Sequence, residues 1–191
     1  MGEELTLTGA LFLRHRRAFL AGGVPLLFFS AFLCRGDGRI WEGVVLTSFL
    51  WAAAVFDYYY GLILDRLTLS MAALAVCFHL HGFSDMPSLL LGAFAGGMPL
   101  FVLSVLTRGG LGGGDVKLAA AGGLWLGWQG ALLSLALASW FGGLLAMILL
   151  LSGRRRGRDA MAFGPFLSAG IFLSFCFGER ILALYGAVCF G

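Results

Sequence analysis

Apolar residues run along this chain in long blocks rather than alternating with polar ones, and short polar stretches punctuate the blocks. Neither the two-residue period of a half-buried strand nor the one-sided stripe of a soluble helix dominates, and a helix apolar all round belongs in lipid. The punctuation predicts about seven membrane segments, at roughly 18–34, 41–57, 67–83, 88–106, 115–127, 129–152 and 162–178. A crossing takes about 20 residues, so 115–127 is a short helix and the other six are full spans. The expected fold is an all-α polytopic helical bundle, forming one integral membrane domain over residues 1–191 with no linker or low-complexity tract.

Composition fixes the solvent. The 191 residues are 60% apolar and 12% charged, against about 25% charged in a soluble domain. Much of the +3 net charge comes from Arg14-His15-Arg16-Arg17 and Arg154-Arg155-Arg156-Gly157-Arg158. Basic clusters beside apolar segments mark cytoplasmic loops, not a nucleic-acid surface. With the first cluster inside, alternation places 58–66, 107–114 and 153–161 on the same side, with Arg66 and Arg108. Counting 115–127 as a crossing is what keeps these basic loops together. Residues 179–191 then form a short external or interfacial tail. The segment after Arg17 also has the look of a signal peptide, but no A-x-A site follows it, and an uncleaved anchor is expected.

Against this background the acids stand out, because a carboxylate at membrane depth costs about 2.5–3.5 kcal/mol on insertion scales. Asp57 ends the second segment and Asp115 opens the fifth, so both lie near the cytoplasmic face although 58 residues apart in sequence. Two carboxylates that meet at one depth cannot both ionise. One holds a proton as general acid while the other activates water, chemistry that hydrolyses a peptide bond without metal or covalent nucleophile. No metal site and no cofactor are expected: Cys34, Cys77, Cys176 and Cys189 form no C-x-x-C pair, and His79 and His81 do not share a helix face and read as interfacial anchors.

Three ordered segments carry a resemblance. Phe56-Asp57-Tyr58-Tyr59-Tyr60-Gly61-Leu62-Ile63-Leu64-Asp65-Arg66-Leu67-Thr68-Leu69 is similar to the first-aspartate segment of type IV prepilin peptidases. Gly112-Gly113-Gly114-Asp115-Val116-Lys117-Leu118 resembles their G-x-G-D-x-K-L motif, and Ala162-Phe163-Gly164-Pro165-Phe166-Leu167 their F-G-P-F-L segment. The resemblance implies a membrane aspartic endopeptidase that removes the short basic leader of prepilin-like or pseudopilin-like membrane proteins at the cytoplasmic face of the cell membrane. It maps Asp57 and Asp115 onto the catalytic pair. Leu64 stands where the family usually has proline, and the paired C-x-x-C motifs of many members are missing. A short, peptidase-only form without N-methylation is therefore expected.

Other residues have two readings. Asp57 and Asp115 also read as a span-end acid and an N-terminal helix acid. Asp65, before the third segment, reads as a helix cap, a leader contact or a catalytic acid. Gly109, Gly110, Gly112, Gly113 and Gly114 provide positive φ and close approach to Asp115, or simple flexibility. Lys117 tunes Asp115 or snorkels. Gly164-Pro165 unwinds the start of the last span beside the site, or simply starts it. The pairs Gly96-Gly97, Gly122-Gly123 and Gly142-Gly143 let helices pack closely. The competing function is an ion- or proton-coupled transporter using the paired acids.

Overall fold

The absence of water in a bilayer forces backbone polar groups to bond within their own segment, so long apolar blocks become helices. The computed structural model describes residues 23, 26–27, 29–31, 40–79, 86–107, 110–152 and 162–190. Beyond residue 40 it contains α1 (Ile40–Tyr60), α2 (Asp65–His79), α3 (Met86–Leu106), α4 (Gly113–Leu151) and α5 (Gly164–Phe190). No strand occurs among the described residues. Four helices, Ile40–Tyr60, Pro87–Leu106, Gly113–Leu151 and Gly164–Cys189, are long and apolar enough to cross a membrane. Most of the expected segment 18–34, the far end of 67–83, both basic clusters, Arg108, Gly109 and His81 lie outside the described residues.

A straight α4 of 39 residues would extend about 58 Å. It does not, because Gly113 near its start and Leu149 near its end line the same cavity. The helix turns back at Gly127, whose φ of 68° and ψ of 178° fall where only glycine is at ease. The reversal falls at the boundary expected between 115–127 and 129–152.

Each arm of α4 has its own partner. The first, 113–126, lies antiparallel to α3 so closely that a Cβ on Gly92 or Gly123 would run into the other's backbone, and Gly96 meets the Ala119 carbonyl in the same way. The second, 128–151, packs on α5, with Gly170 against Ser134 and Gly142 against Phe163 and Phe166. Ser174 donates to the Gly130 carbonyl at 2.8 Å, tying α5 to α4 just past the turn. The buried core joins Leu46, Leu50 and Ala53 of α1, Met71 and Ala75 of α2, Leu118 and Trp125 of α4, and Leu167 and Ile171 of α5. Within it the Trp125 indole N–H donates to the Met71 carbonyl at 3.0 Å, and its ring rests on Phe78. That bond fixes α2 along the first arm of α4.

One expectation needs correction. Residues 179–191, expected as a tail, are helical through Phe190, since α5 continues unbroken past Glu179 and Arg180. Neither proline nor a positive-φ glycine interrupts 179–190, and a charged pair on an exposed face does not stop a helix.

Candidate active site

The last turn of α1 carries Asp57, which is 7% exposed. The chain leaves that helix through Gly61 at φ 61°, whose N–H donates to the Asp57 carbonyl at 2.8 Å. The first N–H groups of a helix have no partner within it and are natural donors to anions. Gly164, the first residue of α5, uses its N–H in this way and donates to Asp57 Oδ2 at 2.8 Å. A Cβ at position 164 would lie 2.6 Å from that same oxygen, so only glycine lets the two approach.

Asp115 sits in the first turn of α4, also 7% exposed. Its Oδ1 is buried without a hydrogen-bond partner among the described residues. The two aspartates, from helices distant in sequence, line one cavity of about 830 Å³. Around them stand Gly112, Gly113 and Gly114 on one side, Leu145 and Leu149 of the second α4 arm on another, and Phe163, Pro165 and Phe166 of α5 opposite.

The glycines serve closeness, not a left-handed backbone. Gly112 is extended at φ −66° and ψ 138°, and the positive-φ glycines among the described residues are Gly61 and Gly127, not the run before Asp115. A Cβ on Gly114 would press on Ile63 at 2.9 Å, so the loop after α1 lies directly on the first turn of α4. Nothing lies within 4 Å of where a Cβ of Gly113 would be, and that position is open.

Lys117 turns away from Asp115. Its Nζ lies 2.7 Å from both Asp65 Oδ1 and Oδ2, at the exposed rim of the cavity. The Asp65 carboxylate is therefore held by a lysine 52 positions away rather than by N–H groups of its own helix. Gly164 and Pro165 begin a regular helix instead of unwinding one. His79 Nδ1 lies 2.9 Å from the Ala75 carbonyl of its own helix, and among the described residues no three His, Cys, Asp or Glu side chains gather as metal ligands.

Sequence reasoning did not foresee the Gly164 N–H as a donor to Asp57, although that residue lay in a quoted motif. Leu145 and Leu149 carried no signal at all, being two apolar residues in an apolar block.

A model of the type IV leader peptidase family matches residues 44–147, more than half the chain and a span that holds both aspartates. The chain belongs to that family. A prepilin leader peptidase/N-methyltransferase of Burkholderia pseudomallei is 33% identical over 187 residues, covering 91% of this chain and 60% of the relative. The protein of the same name from Bacillus subtilis is 30% identical over 183 residues, covering 93% and 74%. That of Pectobacterium carotovorum is 37% identical over 161 residues, covering 80% and 54%. The chain thus spans a little over half the length of the Burkholderia and Pectobacterium proteins. No solved structure matches it. Family membership and the apolar helices describe a multi-pass membrane protein of a peptidase family. The transporter alternative finds no support in them.

Proposed function

We infer that this chain is a membrane aspartic endopeptidase that removes the short basic leader of type IV prepilin-like or pseudopilin-like substrates at the cytoplasmic face of the cell membrane. One observation carries the reading: two buried carboxylates, from α1 and from the start of α4, line one cavity with an open glycine edge. Family membership and the leader-peptidase activity in the relatives' name support it.

In this reading Asp57 and Asp115 hold one proton between them and a water molecule in the cavity. The ionised carboxylate takes a proton from that water as its oxygen attacks the scissile carbonyl carbon, and the protonated one donates to the carbonyl oxygen. The tetrahedral intermediate then collapses: its C–N bond breaks, the leaving amine takes a proton from the pair, and one hydroxyl of the intermediate gives its proton back to the pair. Gly164 orients Asp57, while Gly112 and Gly113 admit an extended backbone beside Asp115. The substrate is another membrane-inserted helix. Methyl transfer, which the relatives' name adds, is outside the reading.

The reversal at Gly127 supports counting 115–127 and 129–152 as two crossings in a seven-segment topology, and Arg66 beside the cavity face supports placing that face in the cytoplasm. Co-expression with candidate prepilin-like proteins, read by the gel shift of leader loss, tests the activity. Processing by the unaltered chain and none by Asp57→Asn is expected. Equal processing by both would overturn it.

A further inference from the structure

Two carboxylates working on one water must keep a fixed separation, yet they are carried by different helices. What sets that separation lies at the rim. Ile63 rests on Gly114, and two residues further along one strand of chain and three along the other, Asp65 meets Lys117 with both carboxylate oxygens at 2.7 Å. These contacts bracket Asp115 on α4, and they join it to the loop that leaves Asp57. The side chains are 55% and 71% exposed, so the ion pair contributes little to overall stability. One ammonium shared by both carboxylate oxygens nonetheless limits how far the two segments can separate.

We propose that Asp65 and Lys117 are positioning residues, an ion-pair clamp that holds the first turn of α4 against the loop after α1 and thereby sets the separation of Asp57 and Asp115. The proposal rests on the peptidase reading for its effect on turnover, but not for its effect on geometry. The pair stands at the exposed rim of the cavity, and its proposed part is to position the carboxylates rather than to react. Removing it lets the start of α4 drift, and misplacement by about 1 Å can cost as much as a hundredfold in rate.

The test uses the full chain in detergent, with a cysteine-free background and spin labels at Leu62 and Leu111, on the two loops that the clamp joins. The unaltered clamp gives a narrow distance distribution. Lys117→Met and Asp65→Asn broaden it, and the exchanged pair Asp65→Lys with Lys117→Asp narrows it again. Unlabelled versions of the same variants are assayed for leader removal. The singles lose about tenfold in kcat, with KM changed by no more than about twofold, and the exchange recovers most of the loss. Lys117→Arg, which keeps a two-point contact, checks that any loss follows the contact and not misfolding.

A distribution unmoved by Lys117→Met overturns the clamp. So does a raised KM at unchanged kcat, which makes Asp65 a substrate contact, or an exchange no better than the singles. If the unaltered chain cleaves no prepilin-like substrate, the activity reading fails and the distance distributions alone decide the clamp.

Discussion

The two aspartates are equally buried but differently held. Asp57, at the end of a helix, has one oxygen bonded by the Gly164 N–H of a distant helix; Asp115, at the start of a helix, is bonded by the backbone of neighbouring Gly112 and keeps Oδ1 buried without a partner among the described residues. An oxygen already engaged is an oriented group, whereas an unengaged buried one costs free energy until something bonds to it. In the proposed mechanism Asp57 would be the carboxylate oriented from another helix, and Asp115 Oδ1 the oxygen left for water or the scissile carbonyl. That orientation also explains why α5, which carries neither aspartate, belongs to the site.

The strongest blow to this contrast would come from the carboxylates themselves. Asp57→Asn and Asp115→Asn should each reduce leader removal by roughly 10²–10⁴-fold while membrane insertion stays intact, and the double variant should be hardly worse than either single one. Substantial turnover in either single variant, measured on the purified protein, ends the idea of a paired mechanism.

The next effect separates fixed from unfixed. Gly164→Ala places a methyl group against Asp57 Oδ2 and should lower kcat by up to about a hundredfold through misplacement, whereas Gly143→Ala, away from the cavity, meets nothing and should leave kcat within about threefold. Equal losses in the two variants would mean that the Gly164 contact orients nothing.

A smaller effect is expected where helices touch away from the site. Gly123→Ala drives a methyl group into the α3 backbone and should lower stability by about 1–3 kcal/mol, read as an earlier thermal transition, with kcat of the surviving folded protein little changed. Smallest of all should be the response to chelators. Cleavage by the purified chain is expected to continue unchanged in their presence, and a lost activity restored by added metal would displace the two-carboxylate account.

Much of this was legible in the sequence for a physical reason: charge is rare in lipid, so Asp57 and Asp115 could be singled out without knowing the fold. The boundary around 128 was placed by keeping the basic loops on one side, and the chain reverses beside it, at Gly127. Pairings across the bundle were not legible. Lys117 is two residues from Asp115 in sequence and was read as its neighbour, but residues two apart on a helix point to different faces, and its partner is Asp65. The backbone N–H of Gly164 belongs to no side chain and leaves no mark in a sequence. The expected last segment ended at 178, whereas the helix continues through Glu179 and Arg180, which it carries at exposed positions.

The first arm of α4 has a consequence for the lipid around it. Residues 113–126 extend about 21 Å, and a typical hydrocarbon core is about 30 Å thick. A bilayer meeting so short an element thins locally, and each ångström of mismatch costs a fraction of a kcal/mol. In the proposed seven-segment topology, headgroups would be drawn inward on the face where Asp115 begins the arm. The depth at which the proposed substrate helix presents its bond would then be set jointly by protein and lipid. Reconstitution in acyl chains of increasing length would act on this chain as a control on alignment, without touching a single residue.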